Sequence, residues 1–520
     1  MSRISRAMLS GGALLALLQT FASAAAVPHY FQRHLMTRAD INVQKVEQEL
    51  GALLSNGTTM YGPLDSQWED VIERYNTFAP PDIQIVVRPA QESDISKIVK
   101  YSNDNSIDFL VKNRGHAITK DIGTFKGLQI DMGDLLNIDI QPGAKTAWFQ
   151  GGTYDGQVID YLWERGYVAT TGSCACVGMM GPGLGGGHGR YEGLYGLISD
   201  NLVNLNVVLA DGSEIRVNET SHSDLFWALQ GAGHNFGIVT SFELKIHPRI
   251  VDTWSYHNYI WTEDKLEEVL TQLNILHGNG TTPVNMAINF GIFTMNETIS
   301  KTDAIVYWTF GYSGPTEDAE KILEPFNKIP AVWDEKANIP YPDVPSIQGT
   351  GLDSPLCAGN QTHITSTAGL QVYNLTAERA IYNNFNKKVA QYPELANARV
   401  VHEGYSQEAV IAHDVNSAAY PMRDDYHLMY FDAIVEHGSN LTSIAREWAD
   451  EVRDLWNEGQ PTRKPTTYVN YAAGGEPLES IYGYEPWRLE RLRGLKAKYD
   501  PYNRFRYFMP IISGGVVANN

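Results

Sequence analysis

Residues Thr171–Gly189 read TGSCACVGMMGPGLGGGHG, and eight of these residues are glycine. Two of the chain's three cysteines, Cys174 and Cys176, lie in the same stretch. Glycine lets a backbone approach a ligand or another segment closely, at a cost in conformational entropy. The many glycines therefore indicate that this segment lies very close to a ligand or to another part of the chain. Together, the glycines and cysteines are compatible with a metal site, a disulfide, a phosphate-binding loop or a covalent cofactor.

The stretch does not meet the sequence requirements of a nucleotide-binding phosphate loop or of a metal site. The G-x-G-x-x-G match at Gly181, Gly183 and Gly186 is followed by HGRYEGLYGL, which lacks the helical pattern of a dinucleotide fold, and no G-K-[ST] follows for a phosphate loop. A zinc site needs three or four ligands at suitable spacing, and Cys-x-Cys has no second pair here. We predict no metal site. Bare extended backbone with a thiol at its edge favours a large flat ligand.

A second candidate feature is VKNRGHAITKDIG, Val111–Gly123, which follows a predicted strand. Arg114 supplies a cation and Gly115 permits a tight turn, so this loop could form a backbone nest for a pyrophosphate. His116 would then lie beside the cofactor. Taken alone, the loop favours a histidine that only makes local hydrogen bonds over one that contacts a cofactor.

Composition and the N-terminus restrict the protein class. The chain has 520 residues, of which 43% are hydrophobic, enough for more than one domain. Its formal charge of −20 argues against nucleic acid and anionic membranes as partners. Arg3 and Arg6, a short apolar run and small residues at Ala22–Ala24 predict a cleaved secretory signal, with a membrane anchor as the alternative. Seven N-x-[ST] sequons mildly favour a secreted glycoprotein.

Periodicity predicts an α+β fold. IQIVVRP reads as a strand, ESDISKIVKYSNDN as a helix capped by Ser93 or Asp94, and IDFLVKN as a second strand. LVNLNVVLADGSEIRV reads as a hairpin with an Asp-Gly turn. From about Ile250 to Pro465 antiparallel strand patterns alternate with helices, and a strong helix is expected at Trp487–Lys498.

The RGH loop, GSCACVG…GPGLGGGHG and YGLISDNLVNLNVVLADG together resemble the vanillyl-alcohol-oxidase type of flavoprotein, and within it the berberine-bridge-enzyme-like branch of fungal type. The resemblance covers about Ile83 to His247 and resumes at YVNYAAGGEPLESIYGYEPW. It implies a two-part PCMH-type FAD-binding domain with an inserted substrate domain built on an antiparallel sheet covered by helices. The implied boundaries are a signal peptide at 1–24, the FAD-binding domain at 25–250 with its core at about 80–250, the substrate domain at 251–465, and a C-terminal segment at 466–520 that returns to the FAD domain.

The resemblance also implies how the cofactor is held. In this family the RGH histidine carries the flavin at its 8α position and the cysteine of G-[ST]-C-x-x-V-G carries it at C6, which implies bicovalent FAD on His116 and Cys174. Cys176 falls at a non-attaching position, where we expect a small buried bystander, although a disulfide from Cys357 to either Cys174 or Cys176 stays open. Pro182 and His188 depart from the family pattern, so either His188 or backbone dipoles must replace the usual histidine near the flavin. The remaining implied cofactor contacts are Arg114, Gly115, Ala117, Val177, Gly178, Gly181, Gly186, Gly187, Asp200, Gly237, Val239 and Asn470.

For catalysis, Tyr468 and Tyr471 match the family's Tyr-x-Asn-Tyr segment, and we expect Tyr468 to act as base with Tyr471 assisting. A tyrosine has an ordinary pKa of about 10, so this role requires a lowered pKa. Val177 is the residue type that leaves room for O2 in family oxidases. RVVHEGYSQEAV should form a wall over the flavin, and its expected substrate contacts are His402 (or Glu403 in its place), Tyr405 and Gln407.

The activity implied by the resemblance is that of a secreted FAD-dependent oxidase. It would move a hydride from a hydroxyl-bearing carbon of a small molecule, a secondary metabolite, to the flavin, and O2 would be reduced to H2O2. A carbohydrate oxidase, a flavin-dependent oxidative cyclase and a non-catalytic FAD-binding protein are the alternatives. The partners expected are the small-molecule substrate and O2, without nucleic acid and without a membrane after signal cleavage.

Overall fold

The structure is a computed structural model that describes residues 40–512. The predicted signal at 1–24 lies outside the described residues. Within the described part, no helix combines the length and apolar character needed to cross a membrane.

Eighteen strands and a set of helices alternate along the described chain. The strands are β1 Thr59–Tyr61, β2 Asp82–Arg88, β3 Phe109–Lys112, β4 Lys126–Asp131, β5 Ile138–Ile140, β6 Thr146–Gln150, β7 Tyr167–Val168, β8 Leu202–Val208, β9 Glu214–Val217, β10 Ile238–Lys245, β11 His247–Pro248, β12 Trp254–Trp261, β13 Ile288–Asn296, β14 Ser300–Tyr312, β15 Trp333–Ile339, β16 Thr362–Leu370, β17 Arg399–Tyr405 and β18 His427–Val435. The α-helices are Val43–Gly51, Trp68–Ile72, Glu92–Asp104, Asp155–Glu164, Met180–Gly183, Glu192–Tyr195, Ser223–Leu229, Leu266–His277, Thr316–Asn327, Val344–Ile347, Leu375–Gln391, Glu408–Ala412, Thr442–Glu458, Leu478–Tyr482 and Pro486–Tyr499.

The first half of the chain builds two sheets. A four-stranded sheet has the order β1-β2-β4-β3, in which β4 pairs in parallel with both β2 and β3. A five-stranded antiparallel sheet has the order β5-β6-β10-β8-β9. The predicted strand–helix–strand unit and the hairpin with Gly212 in its turn are confirmed. The predicted cap of the helix Glu92–Asp104 is wrong, because the helix begins after Gln91 without a side-chain cap and Asp94 instead accepts hydrogen bonds from Ser55.

The second half forms a seven-stranded antiparallel sheet of order β15-β12-β14-β13-β17-β18-β16. The helices Leu266–His277, Thr316–Asn327, Leu375–Gln391 and Thr442–Glu458 bury apolar side chains in the core against one of its faces. The other face, through β13, β17 and β18, borders the cavity described below. The α+β class with an antiparallel sheet covered by helices is therefore confirmed.

The C-terminal residues pack back onto the first half. The helix Pro486–Tyr499 shares a core with the five-stranded sheet and the helix Ser223–Leu229. The buried Lys496 ammonium donates hydrogen bonds to the Asn235 carbonyl and to Asp500, each over 2.7 Å. The guanidinium of Arg504 is 3.2 Å from the Asp108 carboxylate. The Val469–Tyr471 turn, earlier in the same C-terminal segment, borders the same cavity as the glycine-rich stretch.

Candidate active site

A cavity of about 350 Å³ lies between the glycine-rich stretch, the RGH loop, the Val469–Tyr471 turn and the seven-stranded sheet. It brings together most of the residues expected from the sequence to meet the flavin ring and the substrate. Those that line it are Arg114, Gly115, His116, Ala117, Cys174, Val177, Gly178, Gly181, Tyr405, Tyr468, Asn470 and Tyr471.

The RGH loop has the geometry of an anion nest. Gly115 has φ of +75°, a left-handed conformation that favours glycine. Within residues 40–512, the backbone N–H groups of 114–117 donate no hydrogen bond to another residue. Orphan N–H groups beside Arg114 supply the donors that a phosphate group needs. The loop is thus able to hold an anionic group at the rim of the cavity.

His116 presents a neutral imidazole to this cavity. Its ring stacks on Tyr75 with centroids 4.8 Å apart, and Tyr75 stacks in turn on His363. Burial, together with the nearby Arg114 charge, lowers the pKa of His116 to about 4. A neutral ring keeps one nitrogen lone pair, which is what bond formation to a cofactor carbon requires.

A second cavity of about 190 Å³ continues from the first and shares Arg74, Asn113, Gly181 and His234 with it. Gly237 and Val239, both expected to touch the cofactor, line this second cavity. Two buried polar atoms on the shared wall, Asn113 Oδ1 and His234 Nδ1, have no hydrogen-bond partner within residues 40–512. Buried polar atoms are normally paired, so these point to a polar ligand. The elongated space, the nest and the orphan atoms fit FAD.

The glycine-rich stretch forms the floor at the ring end, although a short helix at Met180–Gly183 interrupts the expected extended backbone. A Cβ atom at Gly178 would come within 2.5 Å of the Asn113 side chain, whereas a Cβ at Gly181 would enter open space. Val177 lines the cavity. A side chain at residue 178 would thus collide with Asn113, which explains the glycine at that position of the floor.

The expectation that Cys176 is a bystander is wrong, because it forms a disulfide with Cys357. The two residues are 181 positions apart, so local sequence could not reveal the pairing. Cys174 is the free cysteine of the described residues, and it faces the cavity. Burial raises the pKa of its thiol to about 12.

Three expected cofactor residues lie outside the lining of both cavities. Gly186 and Gly187 have φ of +106° and +84°, and side chains there would collide with Tyr420 and Ile198. Asp200 is buried in a two-point ion pair with Arg423, with N···O distances of 2.7 and 2.8 Å. Gly186, Gly187 and Asp200 therefore make packing and ion-pair contacts within the protein, and the cavity lining does not support their expected cofactor contacts.

His188 is fixed within a buried polar network at the cavity edge. Its Nδ1 lies 3.0 Å from both carboxylate oxygens of Glu192, and its Nε2 lies 2.6 Å from the Tyr420 hydroxyl. The Gln407 amide donates to Glu192 over 2.9 Å. The expected substrate contact of Gln407 is wrong, because its side chain supports this network and lies outside the cavity lining.

Strand β17 sets which side chains face the substrate space. Alternate residues of a strand point to opposite faces. Arg399, Val401, Glu403 and Tyr405 line the cavity, whereas His402 is completely buried among the helices on the other side. There His402 Nε2 pairs with the Glu378 carboxylate over 2.9 Å. The expected substrate contact of His402 is wrong by one position of register, and the alternative residue, Glu403, lines the cavity instead.

Glu403 joins two tyrosines at this wall. The Tyr471 hydroxyl donates to its Oε1 over 2.8 Å and the Tyr405 hydroxyl donates to its Oε2 over 3.1 Å. Burial raises the pKa of Glu403 above its ordinary value, and the two phenol hydrogen bonds oppose that rise. Glu403 is thus a carboxylate able to accept a proton inside the cavity.

The expected lowering of a tyrosine pKa is wrong. Burial raises the pKa of Tyr468 and raises that of Tyr471 well above its ordinary value. The Tyr468 hydroxyl accepts a hydrogen bond from the Asn470 amide over 2.7 Å, and the same amide reaches the Pro182 carbonyl over 3.1 Å. Neither phenol is poised to ionise, so the carboxylate is the stronger candidate base of the cluster.

The comparisons with known proteins agree with this site. A family model described as FAD binding domain matches residues 83–218, and one described as berberine and berberine like matches residues 467–511. The FAD-linked oxidoreductase anuG of Penicillium roqueforti is 55% identical over 478 residues, covering 92% of this chain and 94% of its own. The FAD-linked oxidoreductase iacH of Pestalotiopsis fici is 54% identical over 492 residues, covering 94% of each chain.

A solved structure shares the fold at lower identity. The glucooligosaccharide oxidase of Acremonium strictum, described for its 6-S-cysteinyl, 8α-N1-histidyl FAD, superposes with a TM-score of 0.75 at 21% identity and covers 91% of this chain and 100% of that one. The two family models, the two relatives and the cavity point to the same conclusion. The chain belongs to the berberine-bridge-enzyme-like FAD-linked oxidoreductases and is an FAD-dependent enzyme.

Proposed function

We propose that this oxidoreductase is a secreted oxidase of a small alcohol, with FAD attached to both His116 and Cys174. The observation that carries the proposal is one cavity that contains a neutral histidine, a free thiol and the Glu403 carboxylate. Such a cavity offers two attachment points at the cofactor end and a proton acceptor at the substrate end.

When bound, FAD supplies a two-electron acceptor that can pass its electrons to O2 and give H2O2. His116 and Cys174, which line the same cavity, would be the residues that hold it. The glucooligosaccharide oxidase with a cysteinyl and histidyl FAD supports this assignment as an analogy of fold. A doubly attached cofactor is retained even if the cavity stays open to a bulky substrate.

The Glu403 carboxylate takes the hydroxyl proton of the substrate while the carbon gives up its hydride, so that the alcohol becomes a carbonyl compound. The hydrogen bonds from Tyr405 and Tyr471 orient the two oxygens of Glu403 and keep its charge stabilised in a buried place. Tyr468 lines the same wall and helps to position the substrate.

The side chains around Glu403 support the proposed substrate class. Ile288, Phe290, Val401 and Tyr430 line the cavity on the sheet side, close in sequence or register to this carboxylate. Such a surface favours a molecule with an apolar or aromatic body and one hydroxyl, as in a secondary metabolite. An oligosaccharide is the second candidate, because tyrosine rings can stack on sugars and the solved neighbour is an oligosaccharide oxidase.

Two further features support O2 as the electron acceptor and secretion of the enzyme. Val177 lines the cavity, and the position of this small side chain supports access of O2 to the cofactor. The Cys176–Cys357 disulfide and the signal pattern both favour an oxidising compartment.

The test is a substrate panel reported by peroxide. The purified holoenzyme is offered phenolic alcohols, polyketide-like alcohols and glucooligosaccharides in air, and a Glu403→Gln variant serves as control. Peroxide formation with an aromatic alcohol that depends on Glu403 supports the proposal. Peroxide with oligosaccharides alone selects the second candidate, and product without peroxide overturns the oxidase assignment.

A further inference from the structure

All three cysteines of the chain meet at the edge of the cavity. Cys174 Sγ lies 3.5 Å from the sulfur of Cys176 and 3.8 Å from that of Cys357, which are bonded to each other. The sulfur of Cys174 is therefore within 3.8 Å of both sulfurs of the disulfide, close enough to compete for either of them if their pairing changed. Only one of the three pairings leaves Cys174, the proposed flavin ligand, as a thiol.

Hydrogen bonds hold the two cysteine segments together independently of the disulfide. The backbone N–H of Ala175 donates to the Thr350 carbonyl over 2.8 Å, and the Thr350 hydroxyl donates to the Ser173 carbonyl over 2.8 Å. Arg190 donates to the same carbonyl over 2.9 Å. Cys357 thus stays close to Cys174 even when its present partner is removed.

We propose that the Cys176–Cys357 disulfide protects Cys174 from oxidation to a disulfide and so keeps its sulfur available for the flavin. The inference rests on the proposed attachment at Cys174. Without Cys176, glutathione disulfide would oxidise the Cys174 and Cys357 thiols to a disulfide and would itself be reduced to two glutathione thiols. The sulfur needed for the flavin bond would then be consumed.

The native arrangement also resists internal exchange. Exchange requires a thiolate that attacks along the axis of the disulfide, breaks that bond and releases the far sulfur as a thiol. Cys174 Sγ has similar distances to both sulfurs, so it lies beside the bond and not on its axis. Burial keeps the thiol protonated at neutral pH, because its pKa is raised to about 12.

The test compares three full-length chains produced with FAD in an oxidising compartment that contains glutathione disulfide: wild type, Cys176→Ala, and the double variant Cys176→Ala/Cys357→Ala. Free thiols are alkylated under denaturing conditions, and unreduced peptides are analysed by mass spectrometry. The flavin adduct on the His116 peptide reports folding and cofactor binding in each chain.

We expect the Cys176→Ala chain to lose most of its Cys174 flavin adduct and to show a Cys174–Cys357 peptide, and the double variant to recover the adduct. Retention of the adduct at the wild-type level in Cys176→Ala overturns the inference. Loss of the adduct in the double variant overturns it too, because packing and not competition would then be the cause.

The same experiment distinguishes a failure of the proposed flavin attachment from a failure of the protective role. A wild-type chain without any Cys174 adduct removes that attachment, yet the state of the sulfur still tests the protective role. Alkylated Cys174 in wild type and in the double variant, with a disulfide in Cys176→Ala, supports protection. Alkylated Cys174 in Cys176→Ala overturns it.

Discussion

The Tyr471 hydroxyl donates a hydrogen bond to Oε1 of Glu403 over 2.8 Å. Tyr471 belongs to the C-terminal turn and Glu403 to strand β17, so the contact joins two distant parts of the chain at one face of the cavity. It places an acid where the sequence pattern suggested a tyrosine base.

Replacing Glu403 with Gln removes the proton acceptor and keeps the shape of the side chain. We expect the rate of cofactor reduction by substrate to fall about 100- to 10,000-fold, the usual contribution of a general base. Anaerobic stopped-flow spectroscopy of the flavin measures it. The control is Glu335→Gln, an exposed acid on β15 of the same sheet, which should leave the rate unchanged. A rate for Glu403→Gln within about twofold of wild type would return the base role to a tyrosine.

The reduction rate should depend on pH through Glu403. Burial raises its pKa, and the carboxylate is active only when ionised, so the rate should fall with decreasing pH at a value above the ordinary glutamate pKa of about 4.3. This fall in rate at low pH, the acid limb of the pH profile, should be absent in Glu403→Gln. An unchanged acid limb in that variant would assign it to another group.

Tyr471→Phe tests the positioning role of the phenol. Its hydrogen bond lowers the pKa of Glu403, so its loss should raise that pKa and move the acid limb to higher pH. The rate at high pH should fall much less than in Glu403→Gln. If Tyr471 were the base, the variant would lose activity at every pH, with no shift of the limb.

Val177→Leu tests the oxygen path. The larger side chain should fill cavity space beside the floor and slow reoxidation by O2, while reduction by substrate stays near wild type. The two half-reactions are followed separately in a stopped-flow instrument. Equal slowing of both half-reactions would indicate a general packing defect.

His277 should make the fold acid-sensitive. It is buried between Thr282 and Asn289, and burial lowers its pKa to about 4. The unfolded chain takes up a proton below a pH of about 6.5 and the folded chain does not, so stability falls with pH from there to about 4. Between pH 7 and pH 5 this histidine should lower the free energy of unfolding by about 2 kcal/mol. Urea unfolding of His277→Asn should show a smaller pH-dependent loss, and an equal loss would contradict the assignment.

Local signals were sufficient for much of the fold. The strand–helix–strand unit and the hairpin depend on periodicity and turn residues within a few positions, and both are present. The position of His116 and Cys174 at one cavity agrees with the motif that contains each of them.

Long-range features could not be predicted in the same way. His402 and Glu403 differ by one step of strand register, and only the pairing of β17 with β13 and β18 decides which one faces the cavity. The partner of Cys176 lies 181 residues away, and the partner of Asp200 is Arg423. The tyrosine pKa values depend on burial by segments that meet only after folding.

The covalent attachment of FAD is tested by the mass of peptides from the purified, denatured holoenzyme. We expect FAD to stay with the polypeptide in acid and one flavin to join the peptides of His116 and Cys174. The variants His116→Ala and Cys174→Ala should each keep a single link, and the double variant should release the flavin. Release of free FAD from the wild-type chain would contradict the central claim.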